Sequence, residues 1–84
     1  MTEVTPHNYG SLCERKEEGL LRVSLISGEE FVVTGWPQKE SLHRSKAFAV
    51  GGYTFYWYGG RWEALKNNVF PSLKVRELVW QSKG

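Results

Sequence analysis

KAFAVGGYTFYWYGGRWEALK, residues 46–66, contains two Gly-Gly pairs that separate three short runs rich in aromatic residues. Gly-Gly is a favoured centre for a two-residue hairpin turn, because glycine accepts a positive φ at both central positions. The flanking runs are typical of β-strands. The stretch therefore predicts a three-stranded antiparallel meander with turns at residues 51–52 and 59–60.

These turns fix the strand register, which places Phe48 opposite Phe55 and Trp57 opposite Trp62. Side chains alternate between the two sides of a strand, so the register also divides the meander into two faces. The apolar face, which we expect to be the core, contains Phe48, Val50, Tyr53, Phe55, Trp57, Trp62 and Ala64. The mixed face contains Ala47, Ala49, Thr54, Tyr56, Tyr58, Arg61 and Glu63.

Residues 20–36 before the meander predict a β-hairpin. Apolar and polar residues alternate on both sides of Ser27-Gly28-Glu29, and a three-residue loop there pairs Leu25 with Phe31. Pro37 ends the hairpin. Residues 37–46 then form the longest polar connection and the most basic local segment, for which we expect a solvated loop or a short helical turn.

The two ends of the chain are less regular. Residues 1–10 are polar and predict a loosely held terminus. Ser11 and Glu14 have capping-box spacing before Gly19, which predicts a short helix. Residues 72–81 fit neither strand nor helix periodicity fully; their valines and tryptophan favour a strand, and a short 3₁₀ or helical turn stays open.

Val69-Phe70-Pro71-Ser72, followed by Lys74-Val75, resembles the end of SH3 domains, where such a run leads through a 3₁₀ turn into the closing strand. Gly28-Glu29 resembles the glycine-acid turn of their middle hairpin. The resemblance covers these stretches alone and implies an SH3-like barrel. We therefore predict one mainly β domain over residues 1–84, a small antiparallel meander or partly open SH3-like barrel of about five or six short strands.

Composition limits the class of protein. The 84 residues carry 11 basic and 9 acidic side chains, and a net charge of +2 is too small to imply a polyanionic partner by itself. A single cysteine excludes an internal disulfide and suits a reducing compartment. No apolar run approaches the roughly 18 residues of a membrane span, and the N-terminus lacks the pattern of a secretory signal. We expect a cytoplasmic protein without a membrane partner.

Enzymatic function finds no support in the sequence. Cys13 with His7 or His43 is the one nucleophile and base pairing that the chain offers, and no local pattern supports it. Two histidines at unrelated positions give no metal-ligand spacing. The Gly-Gly pairs lie in hairpin turns, whereas a phosphate loop lies between a strand and a helix. We expect no catalytic residues, no metal site and no cofactor.

The mixed face of the meander is the predicted binding surface. The chain contains four Phe, four Trp and four Tyr, more than a core this small readily hides, and Tyr, Trp and Arg dominate protein interfaces. We therefore expect a small binding module or inhibitor-type protein that engages a protein partner. Its candidate binding residues are Tyr56, Tyr58, Arg61, Trp36, Lys39, Arg44 and Lys46.

Three other interpretations stay open. The tyrosines at 56 and 58 could simply pair across strands with Glu63 and Arg61. A nucleic-acid-binding domain would stack bases on the tyrosines and neutralise phosphates with the basic candidates, although interleaved acidic residues argue against it. A homo-oligomeric structural protein would bury the mixed face against a second copy of the chain.

Overall fold

The computed structural model describes residues 1–42 and 45–83, which form a mainly β fold, as the sequence predicted. This part of the chain contains one short helix and eight strands in a single antiparallel sheet. The helix is α1 (Tyr9–Glu14), and the strands are β1 (Thr2–Glu3), β2 (Gly19–Leu25), β3 (Glu30–Gly35), β4 (Gln38–Leu42), β5 (Ser45–Val50), β6 (Tyr53–Tyr58), β7 (Arg61–Lys66) and β8 (Val69–Ser82). The strand order is β3-β2-β8-β7-β6-β5-β4, and β1 pairs with β8.

The strand count is higher than predicted, and the sheet does not close into a barrel. Strands β3 and β4 lie at the two ends of the main strand order, and β1 pairs with β8 off this order. The extra strands form in polar segments, β1 at the N-terminus and β4 within residues 37–46, where a loop or helical turn was wrongly expected. β4 pairs with β5 from Gln38 opposite Ala49 to Leu42 opposite Ser45. Charged residues are common on an edge strand, because they discourage pairing with other chains.

The predicted meander is confirmed in its register. Phe48 pairs with Phe55 across the first turn, and Trp57 pairs with Trp62 across the second. All four glycines of the two turns have positive φ, which is the backbone conformation that makes Gly-Gly suitable there. The predicted core face is buried at Phe48, Val50, Phe55, Trp62 and Ala64 and partly buried at Tyr53 and Trp57.

The β2–β3 hairpin has the predicted faces but a different loop. The Leu25 N–H donates to the Glu29 carbonyl at 2.8 Å, so the loop comprises residues 26–28 and Val23 pairs with Phe31. The pairing is displaced by two residues from the predicted one. Because a displacement of two preserves the alternation of side chains, Val23 and Leu25 still point into the core.

Helix α1 begins before the predicted Ser11 cap. Asn8 precedes it, and the Asn8 side chain accepts a hydrogen bond from the Thr5 N–H and donates one to the Glu3 carbonyl, both at 2.8 Å. The first ten residues therefore pack more tightly than the sequence indicates, and Val4 is buried. Among the described residues, no helix is long and apolar enough to cross a membrane.

Strand β8 resolves the ambiguous C-terminal segment, which contains no helical turn. Its first half pairs with β7 and its second half with β2, with register shifts in both ladders. The shift opposite Ser24 and Leu25 lets Val75 and Leu78, three residues apart, both point into the core. A regular strand cannot do this, because its side chains alternate.

Phe48 lies at the centre of the core. Its ring centroid lies 5.3 Å from those of Phe55 and Trp62 and 6.1 Å from that of Tyr9. The Trp62 indole N–H donates to the Val4 carbonyl at 3.0 Å and so ties the N-terminal segment to the sheet. Fully burying an aromatic side chain of this size contributes about 1.5–3 kcal/mol.

Candidate binding surfaces

The structure places five of the predicted site residues on two separate surfaces. Tyr56, Tyr58 and Arg61 lie on the face of β5–β7 opposite the core, which we call the outer face. Trp36 and Lys39 lie beside α1, in a separate pocket.

A further basic candidate, Lys46, joins neither group. Lys46 is exposed on β5 opposite Ser41. Because side chains alternate along a strand and Ala47 lies on the outer face, the Lys46 side chain lies on the opposite face. Arg44 and the neighbouring His43 lie outside the described residues.

A hydrogen-bonded network occupies the middle of the outer face. The Tyr56 hydroxyl donates to Glu63 Oε1 at 3.2 Å, and the Ser72 hydroxyl donates to the same oxygen at 2.6 Å. Glu63 is only 8% exposed. Hydrogen bonds to an ionised carboxylate are among the stronger ones in proteins, so this network holds the Tyr56 ring in place. The predicted pairing of Tyr56 with Glu63 is therefore present.

The network also changes the acid-base behaviour of Tyr56. Burial of the half-buried phenol raises its pKa above the ordinary value, and the Glu63 carboxylate raises the pKa further by repelling a phenolate. The Ser72 hydroxyl acts in the opposite direction. Tyr56 is thus held as a neutral hydrogen-bond donor.

Tyr58 and Arg61 are the accessible part of the outer face. They pair across the turn at residues 59–60, and Tyr58 is 66% exposed while Arg61 is also exposed. No carboxylate of residues 1–42 and 45–83 forms a salt bridge with the Arg61 guanidinium. An aromatic ring and an unpaired guanidinium are therefore presented side by side.

The second surface is a pocket of about 350 Å³ beside α1, which we call the Trp36 pocket. Trp36 is 54% exposed, and the Lys39 ammonium lies 6.0 Å from the centroid of the Tyr9 ring, within reach of a cation–π contact. Lys16 and Lys39 are the charged groups among the described residues that line it. The Trp36 pocket is therefore positively charged.

Cys13 lies at the wall of the Trp36 pocket and is buried. Burial raises the pKa of its thiol, while Lys39 lowers it and Glu14 raises it. A raised pKa keeps the sulfur as a thiol, and the thiolate is the nucleophilic form. The geometry thus provides a packed cysteine rather than an activated one.

Sequence reasoning missed two features of these surfaces. Ser72 reaches Glu63 across the β7–β8 ladder, where Glu63 pairs with Lys74, two residues beyond Ser72 on the same side of β8. A two-residue turn at Asn67-Asn68 already places Ser72 opposite Glu63, so that turn is the signal that could have found this contact. Val69 and Phe70 are 64% and 72% exposed next to the β7–β8 turn. Their position after Asn67-Asn68, a pair suited to a tight hairpin turn, is the signal that could have placed them at a hairpin tip.

Neither metal-binding side chains nor similarity to known proteins gives this chain a functional assignment. Within the part of the chain that the structure describes, no group of three His, Cys, Asp or Glu side chains could hold a metal ion. The chain matches no protein-family model, no curated protein and no solved structure.

Proposed function

We propose that the protein is a small non-enzymatic module that binds a protein partner through Tyr58 and Arg61 on the outer face. The observation that carries this proposal is the exposure of Tyr58, 66%, beside an Arg61 that forms no described salt bridge. A tyrosine and an arginine that become fully desolvated are the residue types most often responsible for binding energy at protein interfaces.

The hydrogen-bonded network supports this proposal by giving Tyr58 a rigid platform. Tyr56 lies two residues before Tyr58 on the same face and is held by Glu63. Less conformational entropy is lost on binding when the surface is already ordered. We therefore assign Tyr56 a positioning role and Tyr58 and Arg61 the direct contacts.

The state of Cys13 supports a non-enzymatic function, because its raised pKa disfavours the nucleophilic thiolate. The cytoplasmic location that we expect from the sequence stays a prediction. Likewise, a second copy of the chain stays an alternative occupant of the outer face, and sedimentation of the free protein at several concentrations tests it.

Affinity capture from a lysate of the source cells, followed by titration with the recovered protein, tests the proposal. Tyr58→Ala and Arg61→Ala should each weaken binding at least about tenfold while leaving the melting temperature unchanged. Arg22→Ala is the matched control, since Arg22 is exposed on β2, outside the meander. Equal binding by all four proteins would contradict the proposal.

A second candidate function, binding of single-stranded nucleic acid, is favoured by the Trp36 pocket. Its exposed indole lies with Lys16 and Lys39, and an aromatic platform with nearby cations can stack a base and neutralise phosphates. Oligonucleotide binding followed by anisotropy should then weaken with added salt. Trp36→Ala should abolish it and Tyr58→Ala should not; no binding at low salt eliminates this candidate.

A further inference from the structure

Strand β4 has one side that no other strand of the sheet pairs with. It ends the main strand order, and β5 is its partner among the described strands. Helix α1 also packs against β4, but on the core side, since Tyr9 of α1 stacks on Phe48. Residues 38–41 are all exposed. We call the unpaired side the β4 edge.

The register shows which backbone groups the β4 edge presents. Leu42 pairs with Ser45, and two residues separate them along the chain. Such a closing pair exchanges both backbone hydrogen bonds, and hydrogen-bonded pairs then alternate along the ladder. Glu40 therefore also bonds to β5, while Lys39 and Ser41 direct their N–H and C=O groups outward. No backbone hydrogen bond between described residues uses these four groups.

The other end of the main strand order, β3, is less open. A Cβ at Gly51 would lie 2.8 Å from the Thr34 carbonyl oxygen and would collide with the Val33 side chain. The first glycine turn of the meander therefore packs against the end of β3. Because residues 38–41 are exposed throughout, the β4 edge offers the more accessible backbone for another strand.

The charges beside the β4 edge favour an acidic strand. Lys39 and Ser41 share the core side of β4, because side chains alternate along a strand. The exposed Lys46 lies opposite Ser41 on the same side, and Lys16 lines the Trp36 pocket together with Lys39. Glu40 lies on the other side by the same alternation. Acidic side chains on the core side of an added strand would therefore meet lysines, and opposite charges across strands are stabilising.

A second copy of the chain is a poor partner for the β4 edge. The antiparallel register that pairs Lys39 with Ser41 of a second copy uses all the free backbone groups of both strands. That register places the Glu40 side chains of the two copies directly opposite each other. Like charges in this position destabilise a strand pair, whereas an extended segment of another protein can have an uncharged residue there.

We propose that the β4 edge binds an extended acidic segment of a partner protein as an additional antiparallel strand. Backbone groups of the segment pair with those of Lys39 and Ser41. Its acidic residues, at every second position, lie beside Lys39 and Lys46, and an uncharged residue lies opposite Glu40. In this mode of recognition, main-chain hydrogen bonds provide affinity and alternate side chains provide specificity. The inference does not rest on the binding proposed for the outer face.

Titration of the ¹⁵N-labelled full chain tests this proposal. The probe is a short peptide, blocked at both ends, in which Glu alternates with Thr. The Lys39 and Ser41 amide resonances should shift and saturate, with a dissociation constant of about 0.1–1 mM, and hydrogen exchange at both amides should slow. The Glu40 amide, which already bonds to β5, should exchange slowly with or without the peptide. A peptide with Lys in place of Glu should bind at least about tenfold more weakly.

Methylated peptides distinguish strand addition from attraction between charges alone. N-methylation of the Glu residues removes the N–H groups that face β4 and should abolish binding. N-methylation of the Thr residues, whose N–H groups point away from β4, should preserve it. Neither change alters the protein or the charge of the peptide, so equal binding by the two methylated peptides would overturn the proposal.

Variants of the chain locate the binding edge. Ser41→Pro removes an outward N–H but no bond to β5, and proline is tolerated on an edge strand. It should weaken peptide binding about tenfold, with circular dichroism confirming the fold. Lys39→Gln should weaken binding about two- to fivefold, whereas Arg22→Gln, which changes an exposed arginine on β2, should leave it unchanged.

The remaining outcomes concern other surfaces and other partners. Tyr58→Ala should leave peptide binding unchanged, so this test can fail or succeed independently of the outer face. Peptide-induced shifts confined to the outer face would overturn the proposal. Shifts of the β4 amides that depend on protein concentration without peptide would indicate a second copy at this edge and would also overturn it.

Discussion

The two faces of β5–β7 contain alternate residues of the same strands but have opposite roles. On the core face, the Phe48 ring packs against the rings of Phe55 and Trp62, with 5.3 Å between the ring centroids in each pair. On the outer face, Tyr56 and Glu63 form a hydrogen-bonded pair that leaves Tyr58 exposed. One strand register therefore produces both a buried core and an ordered surface.

The outer face is not simply the solvated side of the sheet. Ala47 is fully buried there and Glu63 is nearly so. In the pairing register, Ala47, Tyr56 and Glu63 lie in one row across three strands. Tyr56 therefore lies between the buried alanine and the glutamate to which its hydroxyl donates a hydrogen bond.

Truncation of the core face should have the largest effect. Phe55→Ala removes a fully buried ring that packs against Phe48 and Tyr53, and we expect a loss of about 3–5 kcal/mol in the free energy of unfolding. Tyr58→Ala on the outer face should change that free energy by less than about 0.5 kcal/mol. Urea unfolding monitored by tryptophan fluorescence measures both. Similar losses would mean that the two faces do not differ as the structure indicates.

Substitution in the first glycine turn should reduce the free energy of unfolding more than substitution in the second, because the first turn packs against β3. A Cβ at Gly51 would collide with the Val33 side chain and lie 2.8 Å from the Thr34 carbonyl oxygen, whereas one at Gly59 would meet nothing within 4 Å. Both positions have positive φ, 58° and 62°, so Gly59→Ala is a matched control for backbone strain.

We expect Gly59→Ala to cost about 1–2 kcal/mol from backbone strain alone. Gly51→Ala should cost about 1–3 kcal/mol more, because β3 must move away to avoid overpacking. Thermal unfolding followed by circular dichroism gives the difference. Equal costs would indicate that β3 does not press on this turn in solution.

Local turn chemistry explains how much of the fold could be predicted. Gly51-Gly52 and Gly59-Gly60 specify the meander and both its faces without long-range information. Strand β4 could not be predicted, because the polar residues of an edge strand do not alternate with apolar ones. The register shift in β8 also has no local signal: it moves Leu78 to the core side by adding a residue opposite β2.

The candidate surfaces were predictable to a smaller extent. The pairing of Tyr58 with Arg61 follows from the turn. In contrast, Trp36 and Lys39 meet Lys16 only because α1 packs beside β4, and such a contact depends on tertiary structure. The sequence likewise does not indicate that the buried Trp80 indole N–H has no acceptor among the described residues.

The smallest effect that we predict concerns alkaline pH and the outer-face network. Because the pKa of Tyr56 is raised in the folded protein, mainly by burial and then by Glu63, the unfolded chain loses this proton first. The stabilisation is therefore fully present below the ordinary tyrosine pKa of about 10 and is lost as pH rises through the higher folded value. Urea unfolding between pH 8 and roughly 11 should show the decline. Tyr56→Phe should make it shallower and Tyr58→Phe should not; an unchanged decline in Tyr56→Phe would show that other groups cause it.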